Sequence, residues 1–354
     1  MLVNYPLSQL NTPLLTWFEH NKRVLPWREN PTAYRVWVSE IMLQQTRVEA
    51  VKPYFERFTK ELPTIQSLAE CEEERLLKLW EGLGYYNRVR NMQIAAKTVM
   101  EKYGGELPSD YEELLKLKGI GHYTAGAIAS IAYGVAAPAV DGNVFRVLTR
   151  VSLDDTDIMK ASFRTQMEEK IRESMPKDAA SAYNQALMEL GATVCVPNGE
   201  PKCDECPLKE YCLAKKQGTQ MKYPVKSKAK KRRIEKKTVL VIQDGTKVIL
   251  RKRPDKGLLA GLYEFPNLEG HLKEKQVLEY VKEQGLTPIR IESLEPAKHI
   301  FSHIEWHMKA YVVKVAQLDG ENEENLFLEA EDCLKNYAVP SAFERYKKYI
   351  EYLG

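Results

Sequence analysis

No stretch of this sequence is both long and apolar enough to cross a bilayer. The uncharged run from Thr124 to Val140 comes nearest, but it is built largely on alanine and carries Pro138. A spanning helix needs roughly 20 strongly apolar residues, so a membrane protein is not expected. No leader pattern stands at the polar, proline-bearing N-terminus, and the expected location is the cytoplasm. Cysteine is scarce, with six in 354 residues. Four of the six crowd between Cys195 and Cys212, which in a chain without a leader argues against a disulfide framework and for metal. Cys71 and Cys333 stand alone and read as ordinary thiols. Strand patterns are missing from the first 220 residues, and no coiled coil or dimer strip is visible, so a monomer is expected.

Net charge is also small, +3 over the whole chain, yet it is unevenly placed. Lys222 to Lys237 holds nine Lys/Arg and one Glu, a local +8 that leaves the remainder at −5. A basic run near Pro224, Ser227 and Ala229 reads as a solvated linker, one that can also lie along a polyanion. At 354 residues two domains are expected. Residues 1–220 show apolar residues at helical spacing in Leu14–Phe18, Val36–Val48, Leu76–Trp80, Met92–Met100, Phe163–Ile171 and Tyr183–Leu190. Thr64 and Ser109 are the expected N-caps ahead of two further helical stretches. After the 221–237 linker, Thr238–Ile242 and Lys247–Arg251 read as strands around an Asp244-Gly245 hairpin, and His307–Val313 as another. Leu272–Gln284 and Ser341–Tyr352 read as helices, making 238–354 a separate α+β domain.

Between Tyr111–Leu117, an amphipathic run, and the alanine-rich run stands Gly119-Ile120-Gly121. Two glycines around one apolar residue predict a tight hairpin between helices, because glycine tolerates positive φ. Two carboxylates draw attention. Glu40 has Val36, Trp37, Leu43 and Gln44 as helical neighbours, so its carboxyl is desolvated and holds its proton; the competing reading is a buried structural Glu paired with Arg28 or Arg35. Asp141, in Val140-Asp141-Gly142-Asn143, reads as an N-cap held as an anion by helix N–H groups. One carboxyl pushed to the acid and one held as the anion is the pairing that glycosidic cleavage uses. The cysteine spacing, Cys195-x7-Cys203-x2-Cys206-x5-Cys212, admits one zinc or one iron–sulfur cluster, the uneven gaps suiting a cube better than a tetrahedral point.

These motifs, with Leu25-Pro26-Trp27-Arg28, Ser39-Glu40-Ile41-Met42-Leu43-Gln44-Gln45-Thr46 and Gly82-Leu83-Gly84-Tyr85-Tyr86, closely resemble those of the helix-hairpin-helix DNA glycosylases with an iron–sulfur cluster, in their adenine-excising branch. The resemblance covers nearly the whole chain. It implies a mainly α N-terminal region over 1–220, a six-helix barrel plus an iron–sulfur helical domain, followed by an α+β Nudix-like domain over 238–354. It implies a nucleoid-associated protein that flips adenine out of double-stranded DNA, where it is mispaired with 8-oxoguanine or guanine, and hydrolyses its glycosidic bond. One 4Fe-4S cluster on Cys195, Cys203, Cys206 and Cys212, and no nucleotide cofactor, are implied with it. By resemblance Glu40 protonates the adenine and then assists water, Asp141 stabilises the sugar cation or attacks it transiently, and Tyr123 and Asn143 position both. Arg28 and Gln185 match adenine-pocket contacts. Gln45, Thr46, Leu83 and Tyr85 match duplex-wedging and lesion-side residues, and Gly119, Ile120 and Gly121 match the phosphate-binding hairpin. Strand-cutting relatives carry lysine at the position of Tyr123, so a monofunctional enzyme is implied.

Two departures stand out: the first cysteine gap is seven residues where six is usual, with Asn198-Gly199 as a ready turn, and His122 replaces the usual hairpin proline. The C-terminal domain resembles a Nudix domain through Gly261-Leu262-Tyr263-Glu264-Phe265-Pro266. Aligned on Gly285, it offers Leu278, Glu279, Lys282 and Glu283 where a magnesium-binding helix needs an arginine and more glutamates. Pyrophosphate hydrolysis is therefore not expected, and Phe301-Ser302-His303 matches the loop that senses 8-oxoguanine. The competing readings are an endonuclease III-like pyrimidine glycosylase-lyase, disfavoured by Tyr123, and a damage-binding module without catalysis, disfavoured by the two carboxylates.

Overall fold

The computed structural model describes residues 2–227, 231–319 and 325–351. Lys228, Ala229 and Lys230 of the basic run and Tyr352, the expected end of the last helix, lie outside the described residues. By backbone contacts the chain divides into two compact units, one of Met1–Glu70 with Asn87–Lys228, the other of Cys71–Tyr86 with Ala229–Gly354. Among the described residues no helix is long and apolar enough to cross a membrane.

Among its described residues the first unit is built of helices and connecting loops, with no strand. Its helices begin where the chain offers caps. Thr64 Oγ1 accepts from Ser67 N at 3.1 Å ahead of the Ile65–Glu70 helix, as expected. Ser109 is not the next cap: Asp110 is, its Oδ1 accepting from Glu112 N and Glu113 N, because the chain enters the Tyr111–Leu115 helix one residue later. The helix expected over Val36–Val48 ends at Leu43. Gln45 takes φ 61°, a left-handed conformation no helix continues through, and a new helix starts at Val48. One core of this unit joins the Asn11–Asn21, Gly142–Ser152, Ala161–Ser174 and Ala180–Thr193 helices and takes in Cys212, with Cys195 and Cys206 packed against its margin.

Among its described residues the second unit holds a seven-stranded sheet: β1 (Arg233–Gln243), β2 (Lys247–Lys252), β3 (Tyr263–Glu264), β4 (Asn267–Glu269), β5 (Pro288–Ile300), β6 (Ile304–Val315) and β7 (Leu326–Glu329). The main order is β3-β2-β1-β6-β5, with β1 and β6 parallel and the other pairs antiparallel. β1 reaches back to Arg233, into the stretch read as linker, because Arg233–Lys237 pair in register with Ile304–Met308 of β6. Val239 and Val241 point into one core and Leu240 and Ile242 into another. The two-residue period therefore loses its polar face: the Glu274–Glu283 helix brings Val277 and Val281 to one side, and Cys333, Phe343, Tyr346 and Ile350 cover the other.

Candidate active site

A cavity of ≈ 980 Å³ in the first unit is lined by Glu40, Tyr123, Asp141, Asn143, Arg28 and Gln185, and by Gln45 and Thr46 at the end of the Ala33–Leu43 helix. Eight expected site residues, far apart in sequence, thus line one cavity. Glu40 stands on the Ala33–Leu43 helix and is 6% exposed. Its Oε2 accepts a hydrogen bond from the Tyr123 hydroxyl. Burial pushes its carboxyl up to about 7, the Tyr123 bond opposing and nearby Asp141 adding to the rise. The structural pairing with Arg28 or Arg35 is not what holds it. Arg35 donates to Pro26 O at 2.8 Å, and Arg28 donates to Glu189 Oε2 and Gln185 Oε1, each at 2.9 Å.

Asp141 caps the Gly142–Ser152 helix. Its Oδ1 accepts from Asn143 N (2.9 Å) and Val144 N (2.8 Å), and its Oδ2 from Asn143 Nδ2 (2.6 Å). Against the expectation of a carboxyl held firmly as the anion, its pKa is shifted upward. Burial outweighs the lowering by the Val144 and Asn143 donors. The cap thus limits the cost of burial here without abolishing it.

Glu189 was not among the expected residues. It is 1% exposed and takes both Arg23 and Arg28 as partners, with Arg23 Nε at 2.6 Å. Burial would raise its carboxyl, but the two guanidinium groups outweigh that and hold it low. It lies one helical turn from Gln185, a spacing that places both on one helix face. Arg146, also missed, is 6% exposed and donates to Asn143 Oδ1 (2.7 Å), Gly191 O (2.8 Å) and Cys195 O (2.7 Å). Its place on the same face as Asn143 was readable from spacing; its carbonyl partners were not.

The hairpin forms as expected. Gly119 takes φ 81°, and Ile120 N donates to Leu117 O at 3.1 Å. Gly121 caps the His122–Tyr133 helix, leaving the two glycines exposed while the Ile120 side chain is buried. The His122 ring nitrogen Nδ1 meets the Tyr111 hydroxyl at 2.8 Å.

Leu83, Tyr85 and Phe301-Ser302-His303 belong to the second unit. Phe301-Ser302-His303 is the turn between β5 and β6, with the Phe301 ring edge-on to Trp306 at 4.9 Å. Tyr85, 48% exposed at φ 47°, shares a hydrogen bond with Ser302 Oγ at 3.2 Å. Leu83 is 6% exposed and so is packed rather than presented. On the Glu274–Glu283 helix Val277 and Val281 face the core, and Glu279 lies exposed beside Lys275.

Cys195, Cys203, Cys206 and Cys212 line one cavity together with Arg150, Lys209 and Lys215. Arg150 Nη1 donates to Cys195 Sγ at 3.2 Å. Burial pushes the Cys206 thiol up to about 12 and raises Cys212 as well. Among the described residues no three His, Cys, Asp or Glu side chains are gathered tightly enough to hold a single metal ion.

Comparison with known proteins places this architecture. Residues 38–173 match the family model described as HhH-GPD superfamily base excision DNA repair protein, and residues 238–349 match that of the NUDIX domain. The solved structure of a thermostable thymine-DNA glycosylase superposes with a TM-score of 0.53 at 26% identity, over 58% of this chain and 94% of its own. Fold and site together define a helix-hairpin-helix base-excision repair protein joined to a Nudix-like domain. An adenine DNA glycosylase of Arabidopsis thaliana is 37% identical over 94% of this chain, which spans 61% of that relative. An adenine DNA glycosylase of Buchnera aphidicola (subsp. Schizaphis graminum) is 35% identical, over 88% of each chain. The chain belongs to the adenine DNA glycosylase family.

Proposed function

We propose that this protein is a monofunctional DNA glycosylase that hydrolyses the N-glycosidic bond of adenine mispaired with 8-oxoguanine, or with guanine, in duplex DNA. The observation that carries the reading is Glu40. It is a buried carboxyl raised to about 7, in the same cavity as a helix-capping Asp141. At neutral pH a large share of Glu40 is the acid, able to protonate the departing base. Once it has given its proton, its carboxylate can take one from the attacking water. Asp141 supplies negative charge beside the developing sugar cation, Asn143 orients its carboxylate, and the Tyr123 hydroxyl orients Glu40.

Arg28 and Gln185 offer donors and acceptors for a flipped purine edge, with Glu189 fixing the guanidinium. The hairpin's exposed Gly119 and Gly121 suit backbone donation to a phosphate. In the second unit Tyr85 and the Phe301–His303 turn are the lesion-reading group. Tyr123 carries no amine, so no Schiff base forms and the reaction ends at base release.

The four cysteines fit a 4Fe-4S cluster. Donors spread around a cavity suit a multi-atom cluster better than one ion, and buried thiolates of this kind need a cationic centre. When bound, the cluster supplies folding free energy and no step of the hydrolysis, which moves no electrons. The test of the whole reading is adenine release from duplexes with adenine opposite 8-oxoguanine, guanine or thymine. Release is expected to be fastest in the first and negligible in the third. Equal rates on all three, or a borohydride-trapped covalent DNA adduct, would overturn it.

A further inference from the structure

In sequence, Cys71–Tyr86 sits inside the stretch that matches the helical repair family, yet its backbone contacts place it in the unit of the Nudix-like domain. The side chains show how. Glu81 is the hub: its Oε1 accepts from Lys347 Nζ at 2.6 Å and from Val339 N at 3.0 Å, and its Oε2 meets Lys78 Nζ at 2.5 Å. Lys347 is 8% exposed, on the Glu344–Glu351 helix, so this ion pair is largely removed from water. Lys78 Nζ also donates to Leu334 O (2.6 Å) and Tyr337 O (3.0 Å), at the C-terminal end of the Ala330–Asn336 helix, where a cation suits the helix dipole. Glu74 accepts from the Tyr263 hydroxyl at 2.6 Å and from Lys252 Nζ at 3.0 Å.

Directly after Glu81 the chain turns through Gly82 (φ 96°), Gly84 (φ 67°) and Tyr85 (φ 47°), and the Tyr85 hydroxyl then meets Ser302. Gly82 and Gly84 take positive φ freely, but Tyr85, with its Cβ, keeps a left-handed backbone only when the surrounding structure holds it. We infer that Glu81 is a positioning residue for lesion discrimination: its bonds to Lys347, Lys78 and Val339 set the Gly82–Tyr85 turn on the Nudix-like domain and so aim Tyr85 at Ser302. The role rests on the reading of Tyr85 and the Phe301–His303 turn as the lesion-reading group. It assigns no contact with DNA to Glu81 itself.

The test compares single-turnover adenine release from 8-oxoguanine:adenine and guanine:adenine duplexes for wild type, Glu81→Gln and the double variant Glu81→Gln/Lys347→Met. Glu81→Gln leaves the buried Lys347 paired with Glu344, at 3.0 Å, whereas the double variant removes both charges of the Glu81–Lys347 pair and keeps the volume. Both lose the carboxylate that bridges Lys78 and Val339. The expected result is a fall of about tenfold in the rate ratio between the two duplexes for both variants, a loss close to that of one charge-assisted hydrogen bond network. The guanine:adenine rate stays within about twofold of wild type, and amide exchange speeds up at residues 82–86. An unchanged ratio, or an equal fall on both duplexes, overturns the inference. If Glu81→Gln fails to fold, the double variant decides alone; if neither folds, Glu81 is structural only and the inference is wrong. A wild-type enzyme with no preference between the duplexes would instead sink the lesion-reading proposal itself.

Discussion

A carboxylic acid that titrates near neutrality is costly to keep, and Glu40 shows the cost and its use together. Its pKa, raised to about 7 in the fold, exceeds that of an exposed glutamate. The stabilising balance is therefore complete below about pH 4.5 and is lost as pH rises through 7, where the buried group must ionise. Glu40→Gln removes that penalty while keeping the shape. In thermal melts the variant is expected to gain on the order of 1–3 kcal/mol over wild type at pH 8 and under about 1 kcal/mol at pH 5. The same variant is expected to lose adenine release by a factor of about 100 or more, the usual size of a general-acid contribution. For wild type, release is expected to fall tenfold per pH unit above pH 7. A flat rate profile from pH 6 to 9 would contradict the acid role. Glu40 was legible in the sequence from its apolar helical neighbours. Glu189 and Arg23 were not, because their pairing closes a sequence distance of 166 residues and leaves no local pattern.

Two elements hold the site by close approach of backbone. At Gly191 a Cβ would lie 2.5 Å from the Cβ of Asn143, so the Ala180–Thr193 helix meets the Gly142–Ser152 helix where only hydrogen fits. Gly191→Ala forces Asn143, or the helix that carries it, to shift, which disturbs the Asn143–Asp141 contact. The substitution is expected to cost about 1–3 kcal/mol by chemical denaturation and to slow base release more than it weakens DNA binding. Wild-type kinetics in a stable Gly191→Ala protein would show that Asn143 does not position Asp141. The hairpin makes a different demand. Gly119 combines φ 81° with a would-be Cβ contact of 2.8 Å to Asn91 Cβ. Gly119→Ala is expected to cost about 1–2 kcal/mol of stability. It is also expected to weaken binding to any duplex, damaged or not, in gel-shift titrations, because a phosphate contact carries no sequence information. The hairpin was plain in the sequence because positive φ selects glycine locally. The contact at Gly191 was not, since a glycine within a helix carries no mark of what approaches it.

At the scale of the molecule, the helical region ends in a cysteine loop whose donors a cluster would tie together. Purified protein is expected to be brown, with broad visible absorption and about four iron per chain. Cys203→Ser is expected to bleach it and to lower its melting temperature by several degrees, since cluster binding is folding free energy. A colourless wild-type sample with stoichiometric zinc and no iron would contradict the assignment. Two compact units do not coincide with two continuous stretches of chain: Cys71–Tyr86 joins the unit of the sheet. Helical periodicity around Leu76–Trp80 was readable, yet periodicity reports that a face is buried and is silent on what buries it.

The sequence by itself determined the helical first region, the sheet-bearing second one, the hairpin, the capping Asp141 and the four-cysteine loop. Each is written in local chemistry: apolar spacing, glycine at positive φ, a short polar side chain ahead of a helix, thiols in a short span. Only the tertiary structure decided that Glu40 is desolvated enough to reach about 7, and that burial at Asp141 outweighs its cap. It alone put Arg28 on Glu189 and Glu81 on Lys347. Solvation and charge pairing depend on what is close in space, and residues 161 and 266 positions apart become neighbours only when the chain has folded.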